Sequence, residues 1–107
     1  MDSKILKKLL FTIKKNKNLS PKKSYTAKLF NSGLSGCKKK FLEEVKEFMI
    51  SLKKNKHSII HEASDVLYHY LVILERVNIN FKEVLKELKI RSKISGIEEK
   101  SRRKNVR

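Results

Sequence analysis

One cysteine, one proline, three glycines and no tryptophan occur in 107 residues. The lone Cys37 excludes an internal disulfide framework and a zinc site built on cysteines, and it suits a reducing, cytoplasmic setting. So few breakers leave few places where a helix must stop. No apolar run approaches the roughly 18 residues of a membrane span. The opening MDSKILKKLLFTIKKNK has lysines on both sides of a short apolar centre, which reads as an amphipathic helix and not a secretory leader. Strand-like alternation and internal repeats are absent, and the length suits a single domain over 1–107 with one modest core.

Acidic residues are also scarce, 11 against 27 basic ones, for a formal net charge of +16. Such a balance suggests a polyanionic partner. Its distribution weakens a nucleic-acid reading, because most of the excess gathers in residues 1–23 and 91–107, while residues 24–90 carry a net of only +4. Lysines outnumber arginines 22 to 5, whereas base readout favours arginine. Lys, Ile and Asn share AT-rich codons, a source of the excess that needs no binding role.

Apolar residues recur at helical spacing almost everywhere, which predicts an all-α bundle of about five helices. The first runs from about Ser3 to Lys15, burying Ile5, Leu6, Leu9, Leu10 and Ile13, and its loop completes residues 1–19. A short second helix covers Ser24 to Asn31. The third spans about Ser35 to Lys54, with a core stripe of Phe41, Leu42, Val45, Phe48, Met49 and Leu52. The fourth runs from Ser58, as N-cap, to Val77. The fifth starts at Asn80, where Asn80 and Glu83 form a capping box, and ends near Ile90. Residues 92–107 form a basic tail.

The fourth helix is apolar on most sides, so it is expected to be buried. Five short helices cannot cover it all, and a second copy of the chain is expected against it. Yet its only full charges between His57 and Leu74 are Glu62 and Asp65. An unpartnered buried carboxylate is costly. His69 can reach Asp65 at i, i+4, lysines from another element could serve, or a cation could. The third helix carries a similar pair, Glu44 and Glu47, beside Glu43. Alone, that EEVKE reads as a solvated charged face. Residues three apart share one helix face, so two antiparallel helices would bring four carboxylates together, a set that suits Mg²⁺ or Mn²⁺. His57 and His61 are expected in solvent, His69 in the core or behind the ligands, and Tyr68 and Tyr70 in core or dimer contacts.

EEVKE at 43–47 and EASD at 62–65 resemble the metal signature of the all-α (MazG-type) nucleotide pyrophosphohydrolases. SYTAKLF at 24–30, KK at 39–40, ASDVLYHYLVIL at 63–74 and SGIEEK at 95–100 are similar, more narrowly, to the phosphoribosyl-ATP pyrophosphohydrolase family, over about residues 20 to 100. That resemblance implies a dimeric, Mg²⁺-dependent enzyme of histidine biosynthesis that splits phosphoribosyl-ATP into phosphoribosyl-AMP and pyrophosphate. It implies Glu44, Glu47, Glu62 and Asp65 as metal ligands, and Glu43 behind them or on the attacking water. Polyphosphate chemistry then makes Lys28, Lys39, Lys40 and Arg91 candidate substrate cations, with Tyr25 and Thr26 as candidate contacts. The family pattern has Gly where Leu42 stands, which bears on packing close to the acids. No fused cyclohydrolase segment is seen. The competing readings are a hydrolase of other (d)NTPs, a basic helical nucleic-acid binder, and a structural helical dimer.

Overall fold

A computed structural model describes residues 3–93. Five helices follow in order, α1 (Ser3–Asn16), α2 (Tyr25–Asn31), α3 (Gly33–Ser51), α4 (Lys56–Arg76) and α5 (Phe81–Arg91). Among the described residues there is no strand, so the all-α expectation holds. The SGIEEK stretch and the basic tail beyond Lys93 lie outside the described residues.

Local chemistry sets the boundaries. Ser24 caps α2, accepting from the Ala27 amide, and its own hydroxyl donates to the Asn16 carbonyl 3.1 Å away. That bond joins the end of α1 to the start of α2. α4 begins three residues earlier than the Ser58 cap predicts, because Asn55 takes the role and accepts from the Ser58 amide at 2.9 Å. α4 ends in a Schellman motif: Asn78 has φ 61°, its amide donates to the Glu75 carbonyl, and the Ile79 amide donates to the Leu74 carbonyl. The Asn80–Glu83 capping box of α5 is present as expected.

α3 and α4 form the most extensive helix pair, an antiparallel hairpin on which α1 and α2 pack. The core is small: Ile13, Leu29, Cys37, Leu71 and Val72 are buried, with Leu6, Leu9, Leu10, Phe30 and Tyr68 against them. Two expectations need correction. Ile5 is 68% exposed and not part of the inner face of α1. Leu42, Met49 and Leu52 of the supposed α3 stripe, and Ile60 and Leu67 of α4, are exposed as well. Periodicity marks the apolar faces of a helix, but only the neighbours decide which face is covered, and α1 and α2 cover the side of α4 that carries Leu71 and Val72. No described helix is long and apolar enough to cross a membrane.

Candidate active site

The start of α2 divides two adjacent side chains. Thr26 turns inward, 5% exposed, and its hydroxyl hydrogen-bonds the Tyr68 hydroxyl. Thr26 therefore ties α2 to α4 and offers no face to a ligand, against the expectation that it touches substrate. Tyr25 turns outward, about half exposed. Its hydroxyl lies 3.1 Å from His69 Nε2, while His69 Nδ1 lies 2.7 Å from the Asp65 carbonyl oxygen. A carbonyl only accepts, so Nδ1 carries the proton, and in the neutral ring Nε2 accepts from Tyr25. His69 is buried behind Asp65, reaching its backbone and not its carboxylate. Tyr68 stacks on Tyr25 and meets the His69 ring edge-on, completing an aromatic wedge between α2 and α4.

The acids stand beside this wedge. The antiparallel register sets Glu47 level with Glu62, and both line one groove at the turn end of the hairpin with Lys54, His57 and His61. One turn further along, Glu44 and Asp65 both act on Tyr25. Burial, more than anything else, raises the Tyr25 hydroxyl above its ordinary value, Lys40 opposes this, and the carboxylates of Glu44 and Asp65 add to it. Glu44 is the more enclosed acid of α3, with its side chain 14% exposed, and Lys40 Nζ bridges it to Glu43 at 3.5 Å each. Tyr25 first, then Glu44 and Glu43, hold the Lys40 ammonium above its ordinary value. On α4, His61 Nε2 lies 3.6 Å from Asp65 Oδ2.

Glu43 and Glu44 thus share Lys40 as a basic neighbour, and Asp65 has His61. Among the described residues, the His, Cys, Asp and Glu ligand atoms within 4.8 Å of one another belong to His61, Glu62 and Asp65. Glu44 and Glu47 are not in that group. His61 is exposed, as expected, yet its i, i+4 spacing to Asp65 is the signal of the contact.

The candidate cations divide too. Tyr25, Lys28, Gly36, Lys39, Lys40 and Glu43 line an open groove between α2 and the first half of α3. Arg91 sits at the end of α5, where its Nε bonds Glu87 at 3.3 Å, and it lines neither this groove nor the one at Glu47 and Glu62. Leu42, where the family pattern has Gly, is 64% exposed and so does not crowd the acids. The arrangement sets two acid pairs beside a lysine-lined groove, as a reaction on a polyphosphate bound with a divalent cation requires.

Comparison with known proteins agrees. The family model of phosphoribosyl-ATP pyrophosphohydrolase matches residues 6–92. Over 99 residues the chain is 42% identical to a phosphoribosyl-ATP pyrophosphatase of Rhodobacter capsulatus, covering 92% of this chain and 96% of that protein. It is 40% identical over 100 residues to the enzyme of that name from Dechloromonas aromatica, with 92% and 93% covered. For the one from Dinoroseobacter shibae the identity is 43% over 100 residues, with 92% and 98% covered. An all-α hairpin with an acid pair on each arm, matched along nearly its whole length, belongs to the phosphoribosyl-ATP pyrophosphohydrolase family of hydrolases.

Proposed function

We propose that this chain hydrolyses phosphoribosyl-ATP to phosphoribosyl-AMP and pyrophosphate, a step of histidine biosynthesis, with Mg²⁺ as cofactor and Mn²⁺ as a substitute. The observation that carries the reading is the pairing of acids across the hairpin: Glu47 shares a groove with Glu62, and Glu44 and Asp65 both bear on Tyr25. In the family matched over residues 6–92, this is the chemistry named.

The donor set fits a hard cation, since Glu44, Glu47, Glu62 and Asp65 offer oxygen alone. When bound, Mg²⁺ supplies charge neutralisation on the phosphate oxygens and acidifies a bound water. The residues do the rest. Lys28, Lys39 and Lys40 line the adjoining groove and take the polyphosphate charge. Glu43, half exposed and paired with Lys40, is the residue to orient a water and accept its proton. Tyr25, pinned by His69, forms the wall between the lysine groove and Asp65. The reaction consumes one water, breaks one phosphoanhydride bond and leaves the phosphoribosyl-adenine part intact.

The same reading makes the enzyme a homodimer. Leu42 and Met49 lie two turns apart on α3, Ile60 and Leu67 two turns apart on α4, and all four are exposed. We read these as one apolar strip along the hairpin, since the register that brings Glu47 beside Glu62 also sets Leu42 level with Leu67 and Met49 level with Ile60. A second hairpin laid on that strip would make a four-helix bundle.

The test is pyrophosphate release from phosphoribosyl-ATP with Mg²⁺ and with EDTA, run beside ATP and dNTPs. Mg²⁺-dependent release from phosphoribosyl-ATP alone is expected. Release from dNTPs instead would keep the site and change the substrate. A folded protein that releases pyrophosphate from none of them would overturn the reading.

A further inference from the structure

The oxygen set of the proposed Mg²⁺ site has a nitrogen donor at its edge. A ring nitrogen of His61, a Glu62 carboxylate oxygen and an Asp65 carboxylate oxygen lie within 4.8 Å of one another. The His61 to Asp65 distance is 3.6 Å. Two ligand atoms held about 2.1 Å from one ion at the tetrahedral angle are about 3.4 Å apart, so this pair already stands close to the edge of a tetrahedral coordination shell. The same atoms are long for a hydrogen bond. His61 and Asp65 are one turn apart on α4, and the Glu62 carboxylate reaches the same spot from the neighbouring position. His57, one turn before His61, and Glu47 from α3 face the same groove, with Lys54 as its cation.

Carboxylates alone favour Mg²⁺ and Mn²⁺, whereas adding an imidazole moves the preference toward Zn²⁺, Co²⁺ and Ni²⁺ and raises affinity along the Irving–Williams order. The buried histidine of this region cannot serve, because both ring nitrogens of His69 are engaged, one by Tyr25 and one by the Asp65 carbonyl.

We propose that His61, with Glu62 and Asp65, forms a binding site for a borderline transition-metal dication such as Zn²⁺, at which that ion displaces Mg²⁺ from the two α4 carboxylates. This rests on the hydrolase reading only for the displacement, since the three ligands belong to α4 and their geometry stands without it. The occupant brings no redox chemistry: the site binds Zn²⁺ by nitrogen and oxygen donation, and the consequence is Zn²⁺ inhibition of a Mg²⁺ enzyme.

The experiment uses the full chain and zinc chloride as the probe. Calorimetric titration is run on the parent protein and on His61→Ala, with and without saturating Mg²⁺. Ring ¹⁵N signals of the three histidines are followed in parallel. At 65% side-chain exposure, His61 is dispensable for packing, and circular dichroism checks the variant. We expect Zn²⁺ to move the His61 ring signal and leave that of His69 in place. His61→Ala should weaken Zn²⁺ binding at least by the tenfold that loss of an outer-shell partner already costs, while Mg²⁺ affinity stays within about twofold, since imidazole adds little to an oxygen-preferring ion. Unchanged Zn²⁺ affinity in His61→Ala, a shift confined to His57, or no Zn²⁺ binding to the parent would overturn the proposal and leave His61 and Asp65 as neighbours on one helix face only. Failure here with Mg²⁺-dependent turnover intact would sink this inference alone. Loss of turnover with the Zn²⁺ results intact would sink the hydrolase reading alone.

Discussion

The hydroxyl of Tyr25 is tied to the imidazole of His69 across 3.1 Å, and the far nitrogen of that ring is held by the Asp65 carbonyl. One hydrogen-bonded chain thus runs from the mouth of the lysine groove to the backbone of an acid on α4. Its direction is fixed, because the carbonyl at one end can only accept. Tyr25→Phe removes the donor and leaves Nε2 of a histidine that is 5% exposed without its partner. An unsatisfied buried acceptor costs about 1–3 kcal/mol, and each kcal/mol lowers the melting temperature of a domain this size by about 4–8 °C. Thermal melts of Tyr25→Phe against the parent chain check this; an unchanged melting temperature would show that the bond carries no net weight.

The carboxylates make the sharper functional prediction. Glu62→Gln and Asp65→Asn keep shape and remove charge, so α-helical circular dichroism should stay as in the parent. Turnover of phosphoribosyl-ATP should fall by about 100-fold or more, the upper range for loss of even an outer-shell partner of a metal site. Without Mg²⁺ neither variant should be less stable than the parent, since each relieves repulsion between carboxylates on one face of α4. Steady-state rates and melts in EDTA test both halves. A structural role for these acids predicts unchanged turnover instead.

Much of this was legible in the sequence. Five helices, the α3–α4 hairpin and the two acid pairs follow from periodicity and from spacings of three residues. What was not legible turns on tertiary neighbours. Tyr25 and Thr26 are adjacent, and only the position of α4 decides that one reaches the groove while the other is buried on Tyr68. Asn55 and Ser58 are both good caps, and the choice between them rests on where the chain leaves α3. Arg91 carries the right charge for a phosphate, but α5 holds it on Glu87, away from the lysine groove.

A pH dependence of stability follows from Glu75. Lys17 Nζ lies 2.6 Å and Lys14 Nζ 3.3 Å from its carboxylate oxygens, tying α1 to the end of α4. Burial works to raise its pKa, but the bonds from Lys17 and then Lys14 outweigh that, so it sits below its ordinary value of 4.5. The folded value is therefore the lower one. The contribution of Glu75 to stability is fully present above the unfolded value and is lost as pH falls through the folded value. Glu75→Gln should cost about 1–2 kcal/mol near pH 7, as loss of a charge-assisted bond does, and the difference from the parent should shrink as pH drops below 4.5. Urea titrations of both proteins across that range decide it; a difference that persists in acid would assign the effect to packing.

The α2–α3 corner depends on two glycines for different reasons. Gly33 has φ +75° with open space around the missing Cβ, so Gly33→Ala meets only backbone strain, about 1–2 kcal/mol. Gly36 is helical, but a Cβ there would fall 2.2 Å from Ser32 Oγ and 2.4 Å from Ser32 Cβ. Rotating the serine hydroxyl away does not move its Cβ, so the corner itself has to shift. Gly36→Ala should cost about 1–3 kcal/mol, in the range of overpacked sites, and, because Gly36 lines the lysine groove, it should also raise KM. Gly33→Ala should lower stability with KM unchanged, so kinetics and melts on the two variants separate groove shape from backbone strain.

The apolar strip of the hairpin tests the proposed pairing of two chains. Leu67 of α4 and Leu42 of α3 are 43% and 64% exposed in the single chain, and neither packs in the five-residue core. Leu67→Glu should therefore leave the monomer fold intact while placing an unpartnered carboxylate in the interface. In a two-fold interface one substitution enters twice. At roughly 2 kcal/mol for each buried, unpaired group, the dimer dissociation constant should rise by about 10³-fold. Sedimentation of the parent and of Leu67→Glu over a concentration series measures it, with Lys53→Glu, an exposed site in the turn between α3 and α4 and outside the strip, as control. A parent that sediments as a monomer would leave the strip uncovered and overturn the pairing. A dimer that survives Leu67→Glu would move the interface to another exposed apolar pair, such as Leu85 and Leu88 on α5.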